Sequence, residues 1–329
     1  MTKLNFLISD NYNPHLNLAV ESYLLENADC TTLFLWKNER TVVIGANQNP
    51  YTECNLDRLL GEDGTLARRR TGGGAVYHDL GNLNFSFIAD KAVYNVNRQL
   101  SVIQESLLPY GILAELSGRN DLTADGRKFS GNAFYKTDKN CLHHGTILIK
   151  TDGERLSKYL TVNPNKLLKK GVTSVISRIV NLSQLNSSVD STNIIPELIK
   201  SFEKIYGNSA TALDYNTLAG ESRAQELYRK YSSQEYLLSD WAKFASTAVI
   251  NNERGLTELA INLENNIIKS VKISSDTLYP ELISHAEKLL VNYRPGDKLP
   301  LFYTGLSQDE LVILNDIFDF INQKGAQNV

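Results

Sequence analysis

The stretch that most restricts what this chain can fold into is RRRTGGGAVYHDLGN, Arg68 to Asn82. Three consecutive glycines reach backbone angles closed to other residues and leave main-chain N–H groups uncovered by any Cβ. Successive N–H groups turned into one concavity make an anion-binding nest, so a phosphate-bearing ligand fits the loop; a tightly turned hairpin fits it as well. Two phosphate-binding architectures are excluded. No G-x-x-x-x-G-K-[ST] run occurs, and the glycines lead from LARRR into AVYH, strand to strand, rather than from a strand into a helix N-terminus. Alternation along a strand sends Arg69 to the face opposite Arg68 and Arg70, and Arg69 is the arginine expected to reach a ligand. A solvated cationic face is the competing reading of the cluster.

With 329 residues, 42% of them hydrophobic and 22% charged, the chain reads as an ordinary globular protein of one large domain and a smaller one. A net charge of −3 argues against a general nucleic-acid binder. Cys30, Cys54 and Cys141 form no C-x-x-C pair, which suits free thiols in a reducing compartment and implies no zinc knuckle. The first twenty residues lack a secretory pattern and no long apolar run follows, so a cytoplasmic protein without a membrane partner is expected.

Asn13 and Pro14 offer a helix cap followed by proline at the first helical position, and Leu16, Val20 and Leu24 recur at helical spacing to about Asn27. TLFLWK and TVVIG read as strands. Leu83, Phe85 and Phe87 alternate with Asn84 and Ser86, the pattern of a half-buried strand. LAELS, DLTADGRKFSG and CLHHGTILIK read as further strands, with a hairpin turn at Asp125 and Gly126. Leu182 to Asn193 is rich in Ser and Asn and reads as a surface loop. After Trp241 a hairpin over LTELAINLENNIIKSVKIS and two helical stretches form a small α+β unit, with the boundary placed at 243/244.

Beyond the glycines, Lys128 sits just past a tight turn and precedes Ser130 and Gly131; such a lysine is ordinarily a surface residue. His143 and His144 are adjacent in a strand and point to opposite faces, which favours packing or substrate contact over a shared metal ion. Cys141 has histidines nearby, as a nucleophilic thiol would need, and its alternating strand suits burial equally well.

Taken together, RRRTGGGAVYHDLGN, GRNDL, GRKFSGNA, HHGTILI and GVTSVISRIVNL resemble, in order and spacing, the motif series of the lipoate-protein ligases over nearly the whole chain. The resemblance implies an α+β fold with a biotin/lipoate-ligase-like mixed β-sheet and flanking helices, residues 1–243, and a small α+β C-terminal accessory domain, residues 244–329. It implies a two-step reaction: lipoate and ATP, with Mg²⁺, give lipoyl-AMP and pyrophosphate, and the acyl group then passes to a lysine of an apo lipoyl domain. The acceptors implied are the E2 subunits of 2-oxoacid dehydrogenases and the H protein of glycine cleavage.

Carried over by position, the ATP and lipoyl-AMP contacts implied are Arg69, Thr71, Gly72, Gly73, Gly74, Ala75, Val76, Tyr77, His78, Asn120, Asp121, Lys128, Ser130, Gly131, His144 and Thr146. Lys128 is the implied catalytic residue and Asp121 the implied Mg²⁺ ligand, while Ser174, Ser177 and Arg178 match the loop that covers the adenylate. Thr71 stands where the family usually has serine, and Ala46 where arginine or lysine is expected. Leu16, Trp36 and Phe85 are candidates to line an apolar tunnel for the dithiolane, and equally good core residues.

Two rivals share part of this pattern. An octanoyl or lipoyl transferase of the same fold moves an acyl group between carriers through a cysteine thioester, without ATP; one branch carries an N-P-C motif, where this chain has Asn165 in VNPNK. A non-catalytic lipoyl- or nucleotide-binding protein is the other.

Overall fold

The computed structural model describes residues 3–118, 120–161, 178–239, 241, 247–252, 255–297 and 305–325. The strands are β1 (Leu4–Ile8), β2 (Thr31–Trp36), β3 (Thr41–Ile44), β4 (Thr65–Arg68), β5 (Val76–His78), β6 (Asn82–Asp90) and β7 (Glu115–Ser117). They continue with β8 (Asp121–Ala124), β9 (Arg127–Lys136), β10 (Asn140–Leu148), β11 (Ala210–Ala212), β12 (Thr247–Asn252), β13 (Gly255–Glu264) and β14 (Ile267–Ser275). The chain forms two compact units. One joins Met1–Val43, Tyr51–Arg68 and Ala75–Ser233; the other joins Ile44–Pro50, Arg69–Gly74 and Gln234–Val329.

In the larger unit eight strands form one sheet in the order β11-β1-β2-β6-β10-β9-β8-β7. β1 pairs in parallel with β2 and β11, and the pairs from β2 to β7 are antiparallel, so the sheet is mixed. Its apolar face carries Leu33, Leu35, Phe85, Phe87 and Phe129 against the helices Val96–Leu107 and Ser191–Tyr206, which contribute Ile103, Leu198 and Phe202. The other face is covered by the helix Pro14–Glu26, whose Asn13 cap accepts from the N–H groups of His15 and Leu16. A small sheet, β4-β3-β5, carries the two strands between which the glycine loop runs.

The half-buried reading of β6 is corrected: Asn84 and Ser86 are buried as fully as Phe85 and Phe87. β6 is a central strand with a helix over its polar face, and Ser86 is satisfied there by Trp36 and Glu21. The surface-loop reading of 182–193 is also corrected. Leu182–Leu185 is a short helix in which the Gln184 side chain accepts from the Asn181 N–H, and Asp190 caps the helix Ser191–Tyr206. Leu182, Val189 and Ile194 are buried anchors, and the Ser and Asn between them serve as caps and turns rather than as a floppy linker.

In the smaller unit β12, β13 and β14 form an antiparallel sheet with a two-residue turn at Asn265 and Asn266, both at positive φ. Leu259 and Ile273 of this sheet pack with Ile283 of the helix Pro280–Leu290 and Leu314 and Phe318 of the helix Gln308–Gly325. The hairpin and both helices match the patterning; β12 and β11 were not anticipated.

Candidate functional site

Lys128 owes its position to a strand irregularity. β8 and β9 are joined by Asp125 and Gly126 at φ 50° and 70°, the left-handed pair of a tight hairpin. The register then slips: Thr123 pairs with Lys128 but Leu122 pairs with Ser130, leaving Phe129 as an extra residue on β9. In an unbroken strand residues 128 and 131 would lie on opposite faces. Here a Cβ added to Gly131 would stand 2.8 Å from the Lys128 Nζ, so the two share a face with Asp121, while Phe129 and Ser130 are both buried. The Lys128 ammonium rests over the bare Gly131 and donates to the Asp121 Oδ1 at 2.7 Å.

The neighbourhood is braced through the backbone. The Lys128 carbonyl accepts from the Val180 N–H, and Lys128 bridges to Ile179, next to the half-buried Arg178. The Gly131 N–H donates to the Thr146 Oγ1. Asn120 and Asn132 clasp each other: each side-chain amide donates to the other's carbonyl, and the Asn132 N–H adds a third bond to the Asn120 carbonyl.

Behind β10 runs a buried polar chain that sequence reasoning only partly found. The Trp36 indole donates to the Ser86 Oγ, Ser86 donates to the Glu21 Oε1 at 2.6 Å, and the His144 Nδ1 meets the same oxygen at 2.8 Å. Glu21 is almost wholly removed from solvent. A lone carboxylate inside an otherwise apolar helical run, LNLAVESYLL, is the signal that could have found it. His143 points the other way, as strand alternation requires, to Gln99 and Asn132. Burial, helped by the neighbouring His144, pushes its imidazole down to about 3, so it is neutral.

On β5, Tyr77 is buried with its ring 5.5 Å from that of Tyr159, and burial pushes its phenol up to about 12. The Asn38 amide donates to the His78 Nδ1, and the His78 ring stands edge-on to Trp36. Trp36 and Phe85 are buried core residues and Leu16 is half-buried.

The glycine loop belongs to the other unit, and its glycines have different physical reasons to be there. A Cβ on Gly72 would lie 2.1 Å from the Thr277 carbonyl oxygen, and Gly73 takes φ 91°. A Cβ on Gly74 would meet nothing within 4 Å. The Gly73 N–H already donates to Thr277, so this amide is engaged within its own unit rather than turned outward as in an open nest. Arg68 and Arg69 are both buried, which corrects the solvated-face reading of the cluster. The Arg69 guanidinium donates to the Thr71 hydroxyl and to the Gly72 and Gly74 carbonyls, bracing the loop from inside. Ala46 donates its N–H to the Thr71 carbonyl.

The fold thus gathers Asn120, Asp121, Lys128, Gly131 and Thr146 into one cluster and Arg69, Thr71, Gly72, Gly73 and Gly74 into another. Ser174, Ser177 and Asn165 lie outside the described residues. Among the described residues no group of three or more His, Cys, Asp or Glu could hold a metal ion, and no helix is long and apolar enough to cross a membrane. Cys141 is buried, and burial pushes its thiol up, which disfavours the thiolate.

Residues 13–203 match the model of the lipoyl protein ligase A/B catalytic domain. The chain is 42% identical over 291 residues to lipoate-protein ligase A of Bdellovibrio bacteriovorus, covering 86% of each protein. The crystal structure of P. falciparum LipL1 in complex with lipoate superposes with a TM-score of 0.84 at 32% identity, over 97% of this chain and 99% of that one. A lipoate-protein ligase A bound with ATP superposes with a TM-score of 0.61 at 27% identity, over 72% of this chain and 98% of that one.

Proposed function

From a chain that belongs to the lipoyl protein ligase A/B family, we infer how its own residues serve that family's reaction. The protein is an ATP-dependent lipoate-protein ligase. In the first half-reaction a lipoate carboxylate oxygen bonds to the α-phosphorus of ATP as the bond to the leaving pyrophosphate breaks, giving lipoyl-AMP. In the second, the neutral amine of a carrier lysine attacks the acyl carbonyl, an amide forms and AMP leaves.

Two anions are brought together in the first step, and negative charge grows on the phosphoryl oxygens. Lys128 is assigned to that charge: its ammonium is fixed in place by Asp121 and Gly131, a preorganised donor of the kind worth about 10² to 10³ in rate. This ion pair at the end of a bulged hairpin is the observation that carries the reading. In the second step the same ammonium would polarise the acyl carbonyl. Amides of the Thr71–Tyr77 segment other than that of Gly73, which is held by Thr277, are assigned to phosphate contact, with Arg69 holding the loop's shape. His78, Asn120 and Thr146 are assigned to the bound adenylate, and Ser130 through its backbone, because its side chain is buried. His144 is assigned to the lipoyl end, and Ser174, Ser177 and Arg178 to covering the adenylate.

Asp121 offers a single, partly exposed carboxylate, which suits Mg²⁺ arriving with nucleotide phosphates and not a metal caged by protein alone. Bound there, Mg²⁺ would neutralise phosphate charge, and Lys128 would give up part of its hold on Asp121. Residues 1–243 are assigned both half-reactions and 244–329 an accessory role, in the cytoplasm. Lipoyl domains of E2 subunits and the H protein are the assigned acceptors.

The purified protein given ATP, Mg²⁺ and lipoate should release pyrophosphate and add one lipoyl group to an apo lipoyl domain. Acyl transfer from an acylated carrier alone, with no pyrophosphate, would establish the transferase instead. Tight lipoate binding with neither product would leave a binding protein.

A further inference from the structure

We propose that His143 is a positioning residue for the Asn120–Asp121 segment, acting through Asn132, and that the amide of Gln99 selects the imidazole tautomer that does so. The inference rests on the ligase reading for its kinetic consequence, while its structural content is independent of it.

The His143 Nε2 lies 2.8 Å from the Asn132 Oδ1, and its Nδ1 lies 3.0 Å from the Gln99 Oε1. A neutral imidazole carries one N–H, so it cannot donate to two amide oxygens. Burial denies it the second proton. One of the two amides must therefore present its nitrogen. Asn132 cannot: its Nδ2 is needed by the Asn120 carbonyl at 3.0 Å, and reversing it would set two oxygens against each other. Gln99 can. With its Oε1 towards His143, the Gln99 Nε2 is buried without a well-formed hydrogen bond. Turning the Gln99 amide over gives the Nε2 a partner in the His143 Nδ1, so this buried donor is no longer orphaned.

The directions of the chain are then set. Gln99 donates to the His143 Nδ1, the His143 Nε2–H to the Asn132 Oδ1, and Asn132 to the Asn120 carbonyl. Asn120 returns a bond to the Asn132 carbonyl at 2.6 Å, and Asp121 follows directly. Phe85, Phe87 and Phe134 surround the imidazole, so no water competes for its nitrogens and the tautomer does not drift. His143 touches no reacting atom under this assignment. It holds the Asn132 amide in the orientation that serves Asn120, and so sets where the Asp121 carboxylate is held for Lys128.

The test combines a spectroscopic and a kinetic reading on the full chain. In uniformly ¹⁵N-histidine-labelled protein, the long-range ¹H–¹⁵N spectrum should show one histidine, absent from His143→Gln, protonated at Nε2 and bare at Nδ1 from pH 8 to pH 5. A Nδ1–H tautomer or an imidazolium in that range overturns the proposal. In pyrophosphate-release assays His143→Phe should raise the KM for ATP about tenfold with the KM for lipoate within twofold, and His143→Gln, whose amide can still donate to Asn132, should recover most of the loss. Asn132→Asp keeps the acceptor for His143 but cannot donate to Asn120, and should reproduce the ATP defect. An unchanged KM for ATP in both His143→Phe and Asn132→Asp, or equal rises for ATP and lipoate, refutes positioning and leaves the ligase reading standing. Wild-type protein that releases no pyrophosphate defeats the ligase reading, and the tautomer still decides the clamp.

Discussion

Replacing Gly72 and Gly74 by alanine, one at a time, separates two reasons for glycine that the sequence presents as one. The Gly72 Cβ would fall 2.1 Å from the Thr277 carbonyl oxygen and 3.0 Å from the Leu278 Cα. Both are backbone atoms, so relief requires the two segments to part, and overpacking of this kind costs about 1–3 kcal/mol. The bond from the Gly73 N–H to Thr277 would go with it, adding about 1 kcal/mol. Gly72→Ala is thus expected to lose about 2–4 kcal/mol and to lower Tm by roughly 5 °C or more. Gly74→Ala meets open space and needs no left-handed backbone, so its stability should stay within about 0.5 kcal/mol of the parent. Its defect should appear as a raised KM for ATP, because the methyl group occupies the loop's uncovered side. Thermal melts with ATP-dependent pyrophosphate release read both quantities. Equal stability losses in the two variants, or none in Gly72→Ala, would refute the packing argument; an unchanged KM in Gly74→Ala would remove Gly74 from phosphate contact.

Three further outcomes are expected. His143 is depressed from the usual imidazole value to about 3 when folded, so below about pH 6.5 the unfolded chain binds the extra proton and the folded chain does not. The stability this group contributes is fully present above pH 6.5 and declines as pH falls towards 3, by an amount on the order of 3–5 kcal/mol; urea midpoints between pH 7 and 4 should fall less steeply in His143→Gln, and parallel curves would exclude this origin. Cys141→Ser should retain lipoate ligation within about threefold, because the buried thiol has no part in it; abolished ligation in a folded variant would reinstate a thioester route. Gly131→Ala should slow adenylation about tenfold with little loss of stability, since the clash is with the movable end of a lysine and the ion pair it disturbs is partly exposed. Wild-type rates in Gly131→Ala would show that the seat does not matter.

What could be read in the sequence followed from local rules. Asn13–Pro14, Asp125–Gly126 and the alternation of β6 depend on neighbours in the chain, and each led to the right element. Burial of both faces of β6 did not, because it depends on a helix more than fifty residues upstream laying Glu21 against Ser86. The ordered motifs led to Lys128 and Asp121, but no motif shows that a bulge at Phe129 is what lets them meet over Gly131. The link between His143 and Asn132 was invisible for a similar reason: an Asn in a strand and a His in an HH pair acquire a joint meaning only when the sheet pairs β9 with β10. Between an open nest and a tight turn the glycine triplet alone does not decide, because one of its amides is bonded to Thr277, close in space and two hundred residues away in sequence.

The most direct test of the electrostatic account is the single-turnover rate of lipoyl-AMP formation by Lys128→Ala, followed as pyrophosphate release at saturating ATP and lipoate. The account predicts a fall of about 10² to 10³ with both substrates still bound. Formation of the mixed anhydride at the parent rate would contradict it.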